Sequence, residues 1–199
     1  MVETDDDIYF RYGFDRYLIR KQIFKLLGGA FHIYGPDGQF LFYSRQKAFK
    51  LKEDIRLYTG KDMQTEALTI RARKVMDFAV AYDVFDPILD EVAGALQRRG
   101  FKSLFRDEWV VLDSDQREIG LITEDHAALA LARRFLTNLI PQSYHAVIGD
   151  DCVANYKQSF NPFVLNLTLD FSMDSQKLLD RRLAIAAAVL LCAIEGRQN

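Results

Sequence analysis

The sequence predicts a mainly β, α+β domain in which a sheet wraps one C-terminal helix. Three observations carry that expectation. Short apolar and aromatic runs recur along most of the chain, separated by compact polar turns, which is the pattern of antiparallel hairpins. Only 4 prolines occur in 199 residues, and no Ser/Gly/Pro-rich linker divides them, so a single domain is expected. Helical patterning dominates only at the end, in "MDSQKLLDRRLAIAAAVLLCAIEG".

The opening "MVETDDDIYF" is acidic where a secretory signal needs a basic segment followed by an apolar one. Residues 1–15 are therefore read as a flexible N-terminal segment, residues 16–199 as the domain, and the protein as cytoplasmic. In "AFHIYGPDGQFLFYSRQKAFKLK" two apolar runs flank Gly35-Pro36-Asp37-Gly38, whose residues supply turn geometry, so this unit reads as a hairpin. "DIRLYTGKDMQTEALTIRARKV" alternates on both sides of Thr59-Gly60-Lys61-Asp62, and "DFAVAYDVFD" adds a strand. Glu108–Leu112 and Glu118–Thr123 flank the polar turn Asp113-Ser114-Asp115-Gln116 and form a further hairpin. A short helix is expected over His126–Leu136, followed by strands in "YHAVIGDD", "CVANYKQSF" and "FVLNLTLDFS".

The last element is a helix over about 175–196, with Asp174 or Ser175 as N-cap candidates and Gly196 as its stop. At helical spacing Leu183, Ala187, Leu190 and Ile194 share one face, while Ile185, Ala188, Val189 and Leu191 cover much of the rest. A helix apolar all round is enclosed either by protein or by lipid. Length separates the two: Leu183 to Ile194 spans about 18 Å, against a hydrocarbon core of about 30 Å. Extending it would draw Asp180, Arg181 and Arg182 into the bilayer, at roughly 2.5 to 3.5 kcal/mol each near its centre. Burial in protein is favoured, and its large aliphatic side chains contribute on the order of 10 kcal/mol of gross burial before chain entropy is subtracted. No transmembrane span is expected.

Three stretches in order, "RYLIRKQIFKLLGGAFHIYGPDGQFLFYSRQKAFKLKEDIRLYTG", "YDVFDPILDEVAGALQRRGFKSLFRDEWVVLD" and "FVLNLTLDFSMDSQKLLDRRLAIAAAVLLCAIEG", make the chain resemble the LURP-one-related family. That family shares its fold with phospholipid scramblases and the Tubby C-terminal domain, and the likeness runs almost end to end. It implies a closed antiparallel barrel of about twelve strands with the C-terminal helix filling its lumen, an arrangement that leaves no sheet edge exposed.

Function is less directly written. A formal net charge of -2 supplies no general attraction to nucleic acid, which is not an expected partner. The resemblance points first to phosphoinositide-type recognition by cationic side chains. "LTIRARKV" places Arg71 and Arg73 on one face with Lys74 beside them, "RQKAFKLK" places Lys50 and Lys52 likewise, and "QRRGFKSLFR" adds Arg98, Arg99, Lys102 and Arg106 near a turn. These residues form the candidate surface for an anionic phospholipid or headgroup, with a peripheral location at the membrane. The competing reading is that they are solvated outer faces of barrel strands. A scaffold or regulatory domain that binds an unidentified protein and no lipid is the alternative function.

Scramblase-like lipid transfer is less favoured, because Asp150, Asp151 and Asp170 lack the alternation of a calcium loop, and no metal is expected. Catalysis has a thin inventory. His32, His126 and His145 lie in separate elements, Cys152 follows two aspartates that disfavour its thiolate, and Cys192 sits inside the apolar helix. There is no Gly-rich phosphate loop, nucleophile elbow or HExxH. Two cysteines make no disulfide framework, Asn166-Leu167-Thr168 is a sequon by chance, and Trp109 in "RDEW" is read as packing. The expectation is a non-catalytic binding protein without a cofactor.

Overall fold

Alternating apolar residues pair into a continuous antiparallel sheet. In a computed structural model of the chain, residues 8–24, 28–46, 54–74, 80–99, 108–125, 141–159 and 164–195 are described. The strands are β1 (Arg16–Phe24), β2 (Gly28–Tyr34), β3 (Phe40–Gln46), β4 (Asp54–Tyr58), β5 (Glu66–Lys74) and β6 (Val80–Asp86). They continue as β7 (Glu91–Arg98), β8 (Glu108–Leu112), β9 (Glu118–Glu124), β10 (Ser143–Ile148), β11 (Asp151–Ser159) and β12 (Val164–Asp170), before helix α1 (Arg181–Glu195). Each strand pairs with its neighbours in sequence, and β1 also pairs with β12, so the 12 strands close into a barrel.

The expected hairpins are present as β2–β3 and β8–β9, and the alternation around Thr59–Asp62 becomes the paired strands β4 and β5. The helix expected at 126–136 and the stop at Gly196 lie outside the described residues. Residues 8–15, at the end of the expected N-terminal segment, include Ile8 and Tyr12, both buried in the core.

Tyr17 and Ile19 on β1, Phe31 and Ile33 on β2, and Ile55 and Leu57 on β4 form one core with the helix. Every residue from Leu183 to Ala193 is buried, so α1 runs through the barrel interior, its alanines leaving room for those larger strand side chains. Among the described residues no helix is long and apolar enough to cross a membrane. One glycine sets the fit at β7. Gly94 has φ +147°, and a Cβ there would lie 2.3 Å from the Leu112 carbonyl oxygen and 3.0 Å from Leu183 Cδ1.

The helix begins later than expected, at Arg181. Asp174 is occupied elsewhere: its carboxylate accepts from the backbone N–H groups of Leu178 (2.8 Å) and Leu179 (3.2 Å), which stabilises a turn. Asp180 is the cap, accepting from the Arg182 N–H at 2.8 Å. The first two helical arginines then anchor this end. Arg182 pairs with Asp86 (2.9 Å), Glu91 (2.7 Å) and Asp180 (2.7 Å). Arg181 pairs with Asp174 at 2.8 Å and stacks 3.8 Å from the Phe171 ring centroid. At the other end of the helix the buried Lys21 ammonium donates to the carbonyl oxygen of Cys192 at 2.6 Å. A cation there satisfies an orphan carbonyl and complements the negative end of the helix.

Candidate functional site

Strand parity turns Arg71 and Arg73 to the outer surface, as alternation requires. Arg73 is neutralised there: it donates to both Asp83 oxygens at 3.1 and 3.0 Å and to Gln116. Arg71 is exposed, and its cross-strand neighbours are Asp54 on β4 and Asp83 on β6. Arg99 bridges Glu108 and, at 3.0 Å, Glu118. Arg98 approaches Trp109, its guanidinium carbon 6.0 Å from the ring centroid. Register brings the backbones of Lys74 and Arg98 to either side of Val80. Lys50, Lys52, Lys102 and Arg106 lie outside the described residues.

A different group of cations meets on the outer face of β1, β2 and β3. Because Tyr17, Ile19 and Lys21 face inward, Arg20 and Gln22 face outward. Pairing aligns Arg20 with His32 and His32 with Tyr43, so one row crosses all three strands. The next row is Gln22, Ala30 and Arg45. Lys61 reaches in from the β4–β5 turn, its ammonium 5.8 Å from the Phe40 ring centroid. Gln22, Gly29, Ala30, His32, Tyr43, Arg45 and Lys61 line a groove of about 220 Å³. Ala30 carries only a methyl group between Gln22 and Arg45, leaving the space open.

Aromatic packing holds this surface in place. The Arg20 guanidinium carbon lies 5.5 Å from the Tyr34 centroid, and the His32 ring sits 5.2 Å from Tyr43 and 6.4 Å from both Tyr34 and Phe40. Such cation–π contacts pre-position a charged side chain without cancelling its charge. Among the described residues no carboxylate lines the groove, and Arg20, Arg45 and Lys61 have no acidic partner there. His32 is 7% exposed and its Nδ1 is buried without a hydrogen-bond partner. Burial, and then the Lys61 charge, lower the His32 pKa below the ordinary imidazole value.

Arginine guanidinium groups bind phosphate and carboxylate oxygens in pairs, whereas a lysine acts as a point charge. Arg45 and Lys61 thus give the groove donors of the kind that hold anionic oxygens.

The architecture has a solved counterpart. An X-ray structure of a protein from Arabidopsis thaliana, AT5G01750, is similar with a TM-score of 0.50 at 16% sequence identity, covering 91% of this chain and 93% of that one. At that identity the likeness shows the fold. No protein-family model and no curated protein matches the chain.

The remaining sequence candidates stay apart. His145 Nδ1 lies 2.6 Å from Asp125, and Cys152 is exposed on β11. Asp170 pairs with Arg16 at 2.7 Å, and among the described residues no three His, Cys, Asp or Glu side chains are grouped to hold a metal. Trp109 is buried against Tyr82, with ring centroids 5.9 Å apart, and Asn166 sits within β12.

Arg20, His32, Arg45 and Lys61 form no charge run, because each comes from a different strand or turn. The available signal is their outward parity within each hairpin. Register joins Arg20, His32 and Arg45, and the fold of the β4–β5 turn adds Lys61.

Proposed function

We propose that this is a non-catalytic binding protein of the LURP-one-related, Tubby/scramblase-like kind, whose outer β1–β3 groove takes an anionic, phosphate-type headgroup. The observation that carries this reading is the convergence of Arg45 and Lys61 on one groove, with Arg20 beside it in the Arg20–His32–Tyr43 row, and none of the three has an acidic partner among the described residues. Contrast with Arg73 and Arg99 sharpens it, since those cations are spent on Asp83, Glu108 and Glu118. The family assignment rests on the order of the three sequence stretches and on the barrel that closes around α1. When the anion is a lipid, the protein is peripheral to the cytoplasmic face of a membrane.

Flotation with vesicles of equimolar phosphatidylglycerol and phosphatidylcholine tests it, with phosphatidylcholine alone as the blank. Removing one charge-assisted hydrogen bond at an exposed site costs about 1 kcal/mol, so the triple variant R20Q/R45Q/K61Q should bind about 100-fold more weakly. Wild-type binding should also fall steeply as salt screens the groove. R71Q, on the exposed face of β5, should bind as wild type. Undiminished binding of the triple variant would refute the groove, and weakened binding confined to R71Q would place the contact on the β5 surface instead.

A protein-interaction role without lipid affinity is the second reading, and a separate surface favours it. Phe10 is 66% exposed and Leu89 50%, and Leu178 is also exposed. Tyr9 donating to Asp86 (3.2 Å) and Arg182 pairing with Asp86 (2.9 Å) draw their three segments together where α1 begins. Under this reading the protein ignores both vesicle types.

A further inference from the structure

We propose that anion binding in the β1–β3 groove is coupled to uptake of one proton by His32; this rests on the anion-binding reading above. His32 occupies the middle of the Arg20–His32–Tyr43 row and lines the groove. Its ring is enclosed by Tyr34, Phe40 and Tyr43, and its buried Nδ1 meets no partner.

Among the described residues, the charged and titratable groups that face His32 are all cationic or phenolic. They are Arg20 on β1, Tyr34 on β2, Tyr43 and Arg45 on β3, and Lys61 from the β4–β5 turn. With the groove empty, burial and then the Lys61 charge disfavour the imidazolium. An anion between Arg45 and Lys61 offsets that positive field and favours the imidazolium, which takes its proton from solvent. No covalent bond changes.

Linkage makes the effect reciprocal. If the anion raises the proton affinity of His32, the proton raises anion affinity by the same factor. The groove therefore binds more tightly as pH falls. One coupled proton limits the gain to tenfold for each pH unit.

The probe must keep a constant charge, which excludes phosphate monoesters, since these titrate in the same range as histidine. Two phosphodiester probes meet the requirement and separate the sources: soluble glycerophosphoglycerol followed by calorimetry, and vesicles of equimolar phosphatidylglycerol and phosphatidylcholine followed by flotation. Wild type should bind at least one of them about fivefold or more tightly at about pH 5.5 than at about pH 7.5. H32Q should bind at both pH values with no such difference. In parallel, the His32 imidazole resonance of the wild type should titrate at higher pH when the probe is bound.

Binding of both probes assigns the recognition to the phosphodiester itself, whereas binding of vesicles alone assigns it to the lipid surface. Equal wild-type binding at the two pH values, a slope that survives in H32Q, or an unmoved imidazole titration overturns the coupling and leaves the anion site standing. Failure of both probes to bind at either pH removes the site and the coupling together. If H32Q does not fold, the wild-type imidazole titration decides the matter.

Discussion

Replacing Gly94 with alanine probes how closely β7 is packed by the β8 backbone and by the helix side chain Leu183. Two costs are separable. At φ +147° an L side chain is strained, which costs about 1 to 3 kcal/mol. The new Cβ would also stand 2.3 Å from the Leu112 carbonyl oxygen and 3.0 Å from Leu183 Cδ1, and backbone cannot yield as a side-chain tip can. Overpacking of that kind adds about 1 to 3 kcal/mol. Gly38 is the internal control, since its φ is +76° and nothing lies within 4 Å of a Cβ built there. G38A should thus show strain alone. G94A should lose about 2 to 6 kcal/mol in all, out of a typical total of about 5 to 15. Urea unfolding of both variants reads the difference: at a slope of about 2 kcal/mol per molar, 2 kcal/mol of overpacking places the G94A midpoint about 1 M below that of G38A. Coincident midpoints for the two variants would refute the claim that Gly94 is in backbone-limited contact with the Leu112 carbonyl of β8.

Two further outcomes follow from buried charge. R182M should destabilise by about 3 to 5 kcal/mol, because it leaves the fully buried Asp86 carboxylate uncompensated, and thermal unfolding should show part of that stability recovered in D86N/R182M. An R182M variant as stable as wild type would exclude the ionic anchor of the helix start. Ligand-free stability should also fall with acidity. The folded-state His32 pKa lies below the unfolded value near 6.5, so below that pH the unfolded chain binds a proton that the folded chain refuses. Denaturation midpoints at about pH 7.5 and about pH 5.5 should differ less in H32Q than in wild type, and an identical slope in the two would show His32 to be freely titrating.

The legible parts of the fold are those written by adjacent residues. The β2–β3 turn at Gly35–Gly38 and the β8–β9 turn at Asp113–Gln116 announce their hairpins through residue types that accept turn geometry. β7 is harder to read, since "EVAGALQR" loses its alternation where the bulge between Val84 and Phe85 and the φ of Gly94 break the register. The start of α1 is obscured for a similar reason. Asp174 has the chemistry of a helix cap but caps a turn, because Arg181 and the barrel rim hold it there.

The candidate site divides in the same way. Arg71, Arg73 and Lys74 are conspicuous as a run, yet Arg73 is matched by Asp83 on the neighbouring strand. Arg20, His32 and Arg45 are inconspicuous singly and become neighbours only through the pairing of β1 with β2 and β2 with β3. Lys61 joins them because its turn folds back over Phe40.

By itself the sequence determined a mainly β chain, its tight hairpins, and an enclosed helix too short to span a bilayer, because periodicity, turn chemistry and length are properties of consecutive residues. The tertiary structure decided which cations are neutralised and which face an open groove. That choice depends on cross-strand register, which sets residues far apart in the chain side by side, and no local spacing encodes it.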